Sequence, residues 1–162
     1  MKNHYVVNPF KCVVAVTFAV IFFMLGAAMF SIKQPVPAVI FIVLGVVYTV
    51  AALINGAVVH VDEKGINKSV FGIVTMIFKW EEVNEIGICG TNAFNKHHPN
   101  KVGTLYIYIS RNELDEQERF DMIFKWPPKD KIYLVYNKKH LEAIQMLSEN
   151  KIEAYNVGNL RL

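Results

Sequence analysis

The hydrophobic pattern of the chain changes once, near residue 60. No charged residue occurs from Cys12 to Ile32, and none from Ala38 to Val59. At about 1.5 Å per residue these runs make helices of about 31 Å and about 33 Å, each close to the hydrocarbon thickness of a bilayer. Helices buried in soluble cores rarely stay apolar on all sides beyond about 14 residues, so two such runs in succession predict two membrane spans. Lys2 and Lys11 could flank a secretory signal, with Ala27-Ala28 as its cleavage site. The apolar run exceeds the about 7 to 15 residues of a signal core, however, and a second run follows it directly. Only Lys33, Gln34, Pro35, Val36 and Pro37 separate the runs, and the prolines are expected to end the first helix and favour a tight reversal. The spans, over about 12–32 and 38–59, are expected to form an antiparallel hairpin.

Beyond them the pattern becomes short β-rich runs broken by turn residues. Ala57 to Asp62 has extended character, Glu63-Lys64-Gly65 supplies a turn, and Ile66 to Phe71 alternates apolar with polar. Gly72 interrupts. Val74 to Trp80 resumes the strand character, and after Glu81-Glu82 so does Val83 to Cys89. Asn92 to Lys101 reads as a polar loop, and Thr104 to Ser110 alternates cleanly, with Leu105, Ile107 and Ile109 on one face. Asp115 and Glu118 have capping-box spacing, and Phe120, Ile123 and Phe124 recur at helical spacing, which predicts a helix from Glu116 to about Phe124, ended by Pro127-Pro128. Ile132 to Tyr136 is a further strand. Asn137 can cap a last helix, running to about Glu149, on which Leu141, Ile144 and Leu147 share a side. The expected division is 1–59 for the N-terminal segment and hairpin, 60–155 for a strand-rich domain, and 156–162 for a tail.

Charge adds an orientation and removes a partner class. The formal net charge is +3, carried by Lys2, Lys11 and Lys33: of 17 Lys and Arg, 14 remain after the hairpin, matched by all 14 Asp and Glu. A domain that grips a nucleic-acid backbone normally carries a basic excess, so nucleic acid is not an expected partner. Lys2, Lys11, Lys64 and Lys68 flank the spans on the side away from the turn, against Lys33 alone within it, so both termini are expected in the cytoplasm. Cys12 and Cys89 form no CxxC or spaced framework, which suggests neither zinc nor a disulfide and fits a reduced compartment.

Consecutive antiparallel strands followed by one amphipathic helix fit a pleckstrin-homology-like barrel. Val59 to Ile88, with Gly65-Ile66 after an acidic turn, Trp80 before Glu81-Glu82, then Val83 and Ile86, resembles the bacterial pleckstrin-homology-like membrane proteins. The resemblance implies an α+β chain: a two-helix transmembrane hairpin, then an antiparallel β-barrel or sheet closed by a C-terminal helix. Asn92 to Lys101 and Arg111 to Pro128 depart from the shortest members. It implies no catalytic residues and no common ligand.

Candidate chemistry is sparse. Adjacent His97-His98 seldom reach one ion together, and no carboxylate or Cys completes a ligand set, so no metal or cofactor is expected. Asp115, Glu116, Glu118 and Asp121 suit the first turns of a helix better than paired-carboxylate catalysis. Ser69 and Ser110 lack a nearby His or Gly-rich elbow. Trp80, after an apolar strand, is expected as a core anchor. Trp126, with Lys125, Lys129 and Lys131 around it, could enter a headgroup region from a loop. Ala15-x-x-x-Ala19 and Ala52-x-x-x-Gly56 allow close helix approach within the hairpin or between copies, and Asn55 can reach water or the other helix. The expectation is a non-enzymatic, membrane-anchored interaction, scaffold or regulatory module at the cytoplasmic face of the plasma membrane. Its partners would be the bilayer and a protein or a second copy. The alternative is a small accessory subunit of a transporter or channel acting through the hairpin.

Overall fold

The computed structural model describes residues 3–90, 103–148 and 154–156. They form two units, one of residues 6–57 and one that joins the first residues, up to Tyr5, with everything from Val58 onward.

In the first unit, α1 (Pro9–Ser31) and α2 (Pro35–Asn55) pack along their whole lengths. Both are long and apolar enough to cross a membrane. Asn8 caps α1, its side chain accepting from Lys11 N at 3.0 Å, with Pro9 in the first turn. Pro35 and Pro37 do not sit in the reversal; Pro35 opens α2, where the missing N–H has no helical partner to lose. The reversal shrinks to Ile32, Lys33 and Gln34, closed by Gln34 N donating to Met29 O at 2.9 Å, with Lys33 at φ 58°. The second helix stops at Asn55, short of the expected Val59, because Ala57 accepts from Val7 N and the chain is extended from Val58.

The second unit holds two four-stranded sheets. The first has the order β1 (Asn3–Val6), β2 (Val58–Asp62), β3 (Gly65–Val70), β4 (Ile73–Lys79). β2 and β3 pair antiparallel from Val58↔Ser69 to Asp62↔Gly65, and β3 and β4 pair antiparallel with a bulge at Lys68/Ser69. Gly65 is required at its turn, because a Cβ there, at φ 157°, would collide with the Phe78 carbonyl. The second sheet has the order β7 (Ile132–Val135), β6 (Leu105–Ser110), β5 (Glu85–Gly90), β8 (Ala154–Asn156), with β8 parallel to β5 and the other pairs antiparallel. The expected closed barrel is not formed. A 3₁₀ turn at Trp80–Glu82 ends the first sheet, and no strand pairing among the described residues joins it to the second.

Two strands were not expected. β1 precedes the helices yet lies beside β2, and β8 includes Asn156, where a tail was anticipated. The expected loop Asn92–Lys101 lies outside the described residues. β6 is covered on both faces rather than one: Ile107 and Ile109 align with Ile86, Ile88, Ile132 and Leu134 in an aliphatic layer, while Tyr106 and Tyr108 are equally buried on the reverse. The last helix, α4 (Lys138–Leu147), buries Ile144 and is capped by Asn137, which accepts from Lys139 N at 2.9 Å.

Candidate functional site

The hairpin is packed inside out relative to a soluble helix pair. Its buried positions are Ala15, Ala19, Gly26, Ala38, Gly45 and Ala52, while large side chains such as Phe10, Val13, Met24, Val39, Ile40, Val43 and Val47 point outward. A Cβ on Gly26 would lie 2.9 Å from Ile42, one on Gly45 2.9 Å from the Phe23 ring, and one on Gly56 2.8 Å from Cys12 Sγ. Small residues therefore set the helix separation, and Phe22 and Phe18 stack on Tyr48 across the seam. Ala15, Ala19 and Ala52 lie in this intramolecular seam, and Gly56 at its end. Thr17, Ser31, Thr49 and Asn55 each donate to the carbonyl four residues earlier in their own helix, at 2.7 to 3.1 Å. Asn55 is only half-buried, and the hydrogen bond that its amide donates stays within its own helix.

A buried ionic cluster, unsuspected from the sequence, joins α3 (Glu116–Phe124) to the second sheet. Glu85 is buried in β5. Its Oε1 accepts from the Tyr108 hydroxyl at 2.5 Å and Arg119 Nε at 3.1 Å, and its Oε2 from Leu114 N at 2.8 Å and Arg119 Nη2 at 2.8 Å. Burial alone would raise the carboxyl pKa, but Arg119, the Leu114 N–H and Tyr108 outweigh it and hold Glu85 below the ordinary carboxylate value. Burial and the adjoining carboxylate push the Tyr108 phenol upward. Gly87 gives the tyrosine room, since a Cβ there would overlap its ring. Every carboxylate oxygen has two donors, so the cluster has no open acceptor for a substrate proton; it fastens α3 to the sheet. The expected capping box holds the helix start, with Asp115 Oδ1 accepting from Glu118 N at 2.7 Å and Glu118 Oε2 accepting from Asp115 N at 3.1 Å. A carboxylate two residues after Val83 and just before Ile86 was the available signal.

The basic loop differs from the picture of a free tryptophan among lysines. Trp126 packs at a tilt against Tyr106 and edge-on against Tyr133, with ring centroids 4.6 and 5.0 Å away. Lys125 pairs with Asp121 at 2.7 Å and Lys131 with Asp130 at 2.9 Å, while Lys129 is exposed. Trp80 is half-buried, its indole N–H donating to Asp62 O at 2.8 Å, and it lines a cleft of about 430 Å³ with Glu63, Lys64, Lys79, Glu81 and the end of α4.

A second cleft, of about 240 Å³, contains His4 and His60, whose Nδ1 atoms are 2.5 Å apart; His60 Nε2 continues to Ser69 Oγ at 2.9 Å. Burial and the neighbouring His4 lower the His60 pKa. Among the described residues no group of three or more His, Cys, Asp or Glu is gathered as a metal site would require, and His97-His98 lies outside them. Cys89 is buried, which pushes its thiol pKa up to about 12. No protein-family model, curated protein or solved structure matches the chain.

Proposed function

We propose that the chain is a non-enzymatic module whose hairpin anchors a small two-sheet domain to the cytoplasmic face of a membrane, where the domain engages a protein partner or a second copy. The observation that carries the membrane half is the inverted packing of the hairpin. Water would drive its Phe, Val and Ile side chains inward, whereas lipid is as apolar as they are and leaves close backbone approach through Ala and Gly to hold the helices together. Because β1 and β2 are neighbours in one sheet, the two ends of the hairpin belong on one side of the bilayer. The lysine distribution, with Lys2, Lys11, Lys64 and Lys68 against Lys33 alone in the turn, favours the cytoplasm as that side.

The interaction half rests on the division of labour between the units. Thr17, Thr49 and Asn55 each donate to a carbonyl of their own helix, and neither apolar run carries a charged residue, which favours an anchor over a path for a transported solute. The Glu85 carboxylate is saturated with donors, and among the described residues neither cleft gathers a catalytic set. A pleckstrin-homology-like ancestry of the two sheets is compatible with this role.

Carbonate extraction, combined with thiol labelling of intact cells, tests the anchor. Gln34→Cys should react with an impermeant reagent and Glu63→Cys should not; extraction of the chain by carbonate, or the opposite labelling, would refute it. Crosslinking in cells from the Glu63 end of the domain should capture a discrete protein or a second copy.

A further inference from the structure

The first sheet is polar at one end and apolar at the other. At one end are Asp62, Glu63, Lys64, Lys79, Glu81 and Glu82. At the other, the β3–β4 turn carries the uninterrupted apolar sequence Val70-Phe71-Gly72-Ile73-Val74. Phe71 is 85% exposed, Ile73 72% and Val74 49%. Phe71 also has φ 51°, and Gly72 after it φ 77°. A left-handed conformation is unfavourable for a bulky residue, and in water the exposed ring gains nothing in return.

Strand register shows which end this is. β2 begins at Val58, directly after the hairpin, and Val58 is opposite Ser69. Phe71-Gly72, just past Ser69 and Val70, therefore lie at the end of the sheet where β2 begins. β1 runs toward α1 and also reaches this end at Val6. An apolar tip placed where the chain enters lipid fits an interfacial anchor, and its Phe is a residue type that such anchors favour.

We propose that the Phe71-Gly72-Ile73 tip inserts into the interfacial layer of the same bilayer that holds the helices, as a third membrane contact. This rests on the membrane reading of the hairpin, and the test separates the two. The full chain, with Cys12→Ala and with buried Cys89 left in place, is reconstituted in nanodiscs of phosphatidylglycerol and phosphatidylcholine. A nitroxide is attached at Ile73→Cys, at Glu63→Cys or at Val43→Cys on the outward face of α2. Relaxation by oxygen reports immersion in lipid, and relaxation by a water-soluble nickel complex reports exposure to water.

The label at 73 is expected to be oxygen-accessible and several-fold less nickel-accessible than the label at 63. Adding Phe71→Asp should raise nickel access at 73 toward the value at 63. Nickel access at 73 equal to that at 63 would overturn the tip proposal while a lipid signal at 43 keeps the hairpin reading. Shielding of 73 from both reagents would overturn it in favour of a protein covering the tip. A water signal at 43 would remove both readings.

Discussion

Arg119→Ala tests the most heavily buried electrostatic feature of the domain. The Arg119 and Glu85 side chains are only 12% and 6% exposed and meet at 2.8 Å. An exposed pair is worth at most about 1 kcal/mol, whereas removing one partner of a buried pair costs about 3 to 5 kcal/mol because the other charge stays buried. For a unit of this size 1 kcal/mol moves Tm by about 4 to 8 °C, so Arg119→Ala should lower it by at least about 12 °C. Thermal unfolding of the full chain in detergent, followed by near-ultraviolet circular dichroism, measures the loss. Amide exchange at Leu114, whose N–H donates to Glu85, should accelerate ahead of the core strands. Because the folded pKa of Glu85 lies below the ordinary value, its contribution is complete above the unfolded pKa and disappears as pH falls through the folded one. The gap between wild type and variant should therefore narrow on acidification. Replacing both partners, as Glu85→Leu with Arg119→Met, should cost less than Arg119→Ala alone. A loss below about 1 kcal/mol for Arg119→Ala, or a double variant as damaged as both single ones together, would refute the buried-latch reasoning.

Gly87→Ala, whose added methyl would overlap the Tyr108 ring, should destabilise the same unit by about 1 to 3 kcal/mol in denaturant titration. Gly26→Leu should force α1 and α2 apart and lower the yield of a crosslink between their facing positions, while Val43→Leu on the outward face should leave it unchanged. In vesicle flotation, mutating Lys125, Lys129 and Lys131 together should change the salt dependence of membrane binding little, because two of the three are already paired with aspartates; a large loss would show a headgroup site there.

Most of the sheet-forming segments were legible because their chemistry is local. Turn residues at Glu63-Lys64-Gly65 and Gly72, alternation in Thr104 to Ser110, and caps at Asp115 and Asn137 each act within a few residues, and each corresponds to an observed element boundary or strand. What escaped was non-local. Glu85 and Arg119 are 34 positions apart and become a pair only when the fold brings α3 beside β5. Trp126 looks free in a loop flanked by lysines, yet Tyr106 and Tyr133, from two other elements, take its ring. Pro35 and Pro37 were assigned to the reversal because proline breaks helices, although the same missing N–H suits it to a first helical turn.

The strand at Asn3–Val6 changes the bounds of the strand-rich domain. Its four residues offer too little alternation to stand out, and its partner β2 lies across both long helices in the sequence. A fragment beginning at Ala57 therefore lacks one edge of the first sheet and exposes the β2 edge, with His60 deprived of His4. Such a fragment should be prone to aggregate, whereas residues 3–7 joined to Ala57 through a short Gly-Ser connection should give a soluble β-rich protein. Comparing the two by light scattering and amide exchange at Val59 and Val61 decides the point, since equal protection in both would mean that β1 adds nothing to the sheet. In the full chain β1 and β2 are neighbours although both long helices separate them in the sequence, so the sheet is complete only when the two ends of the helical pair meet.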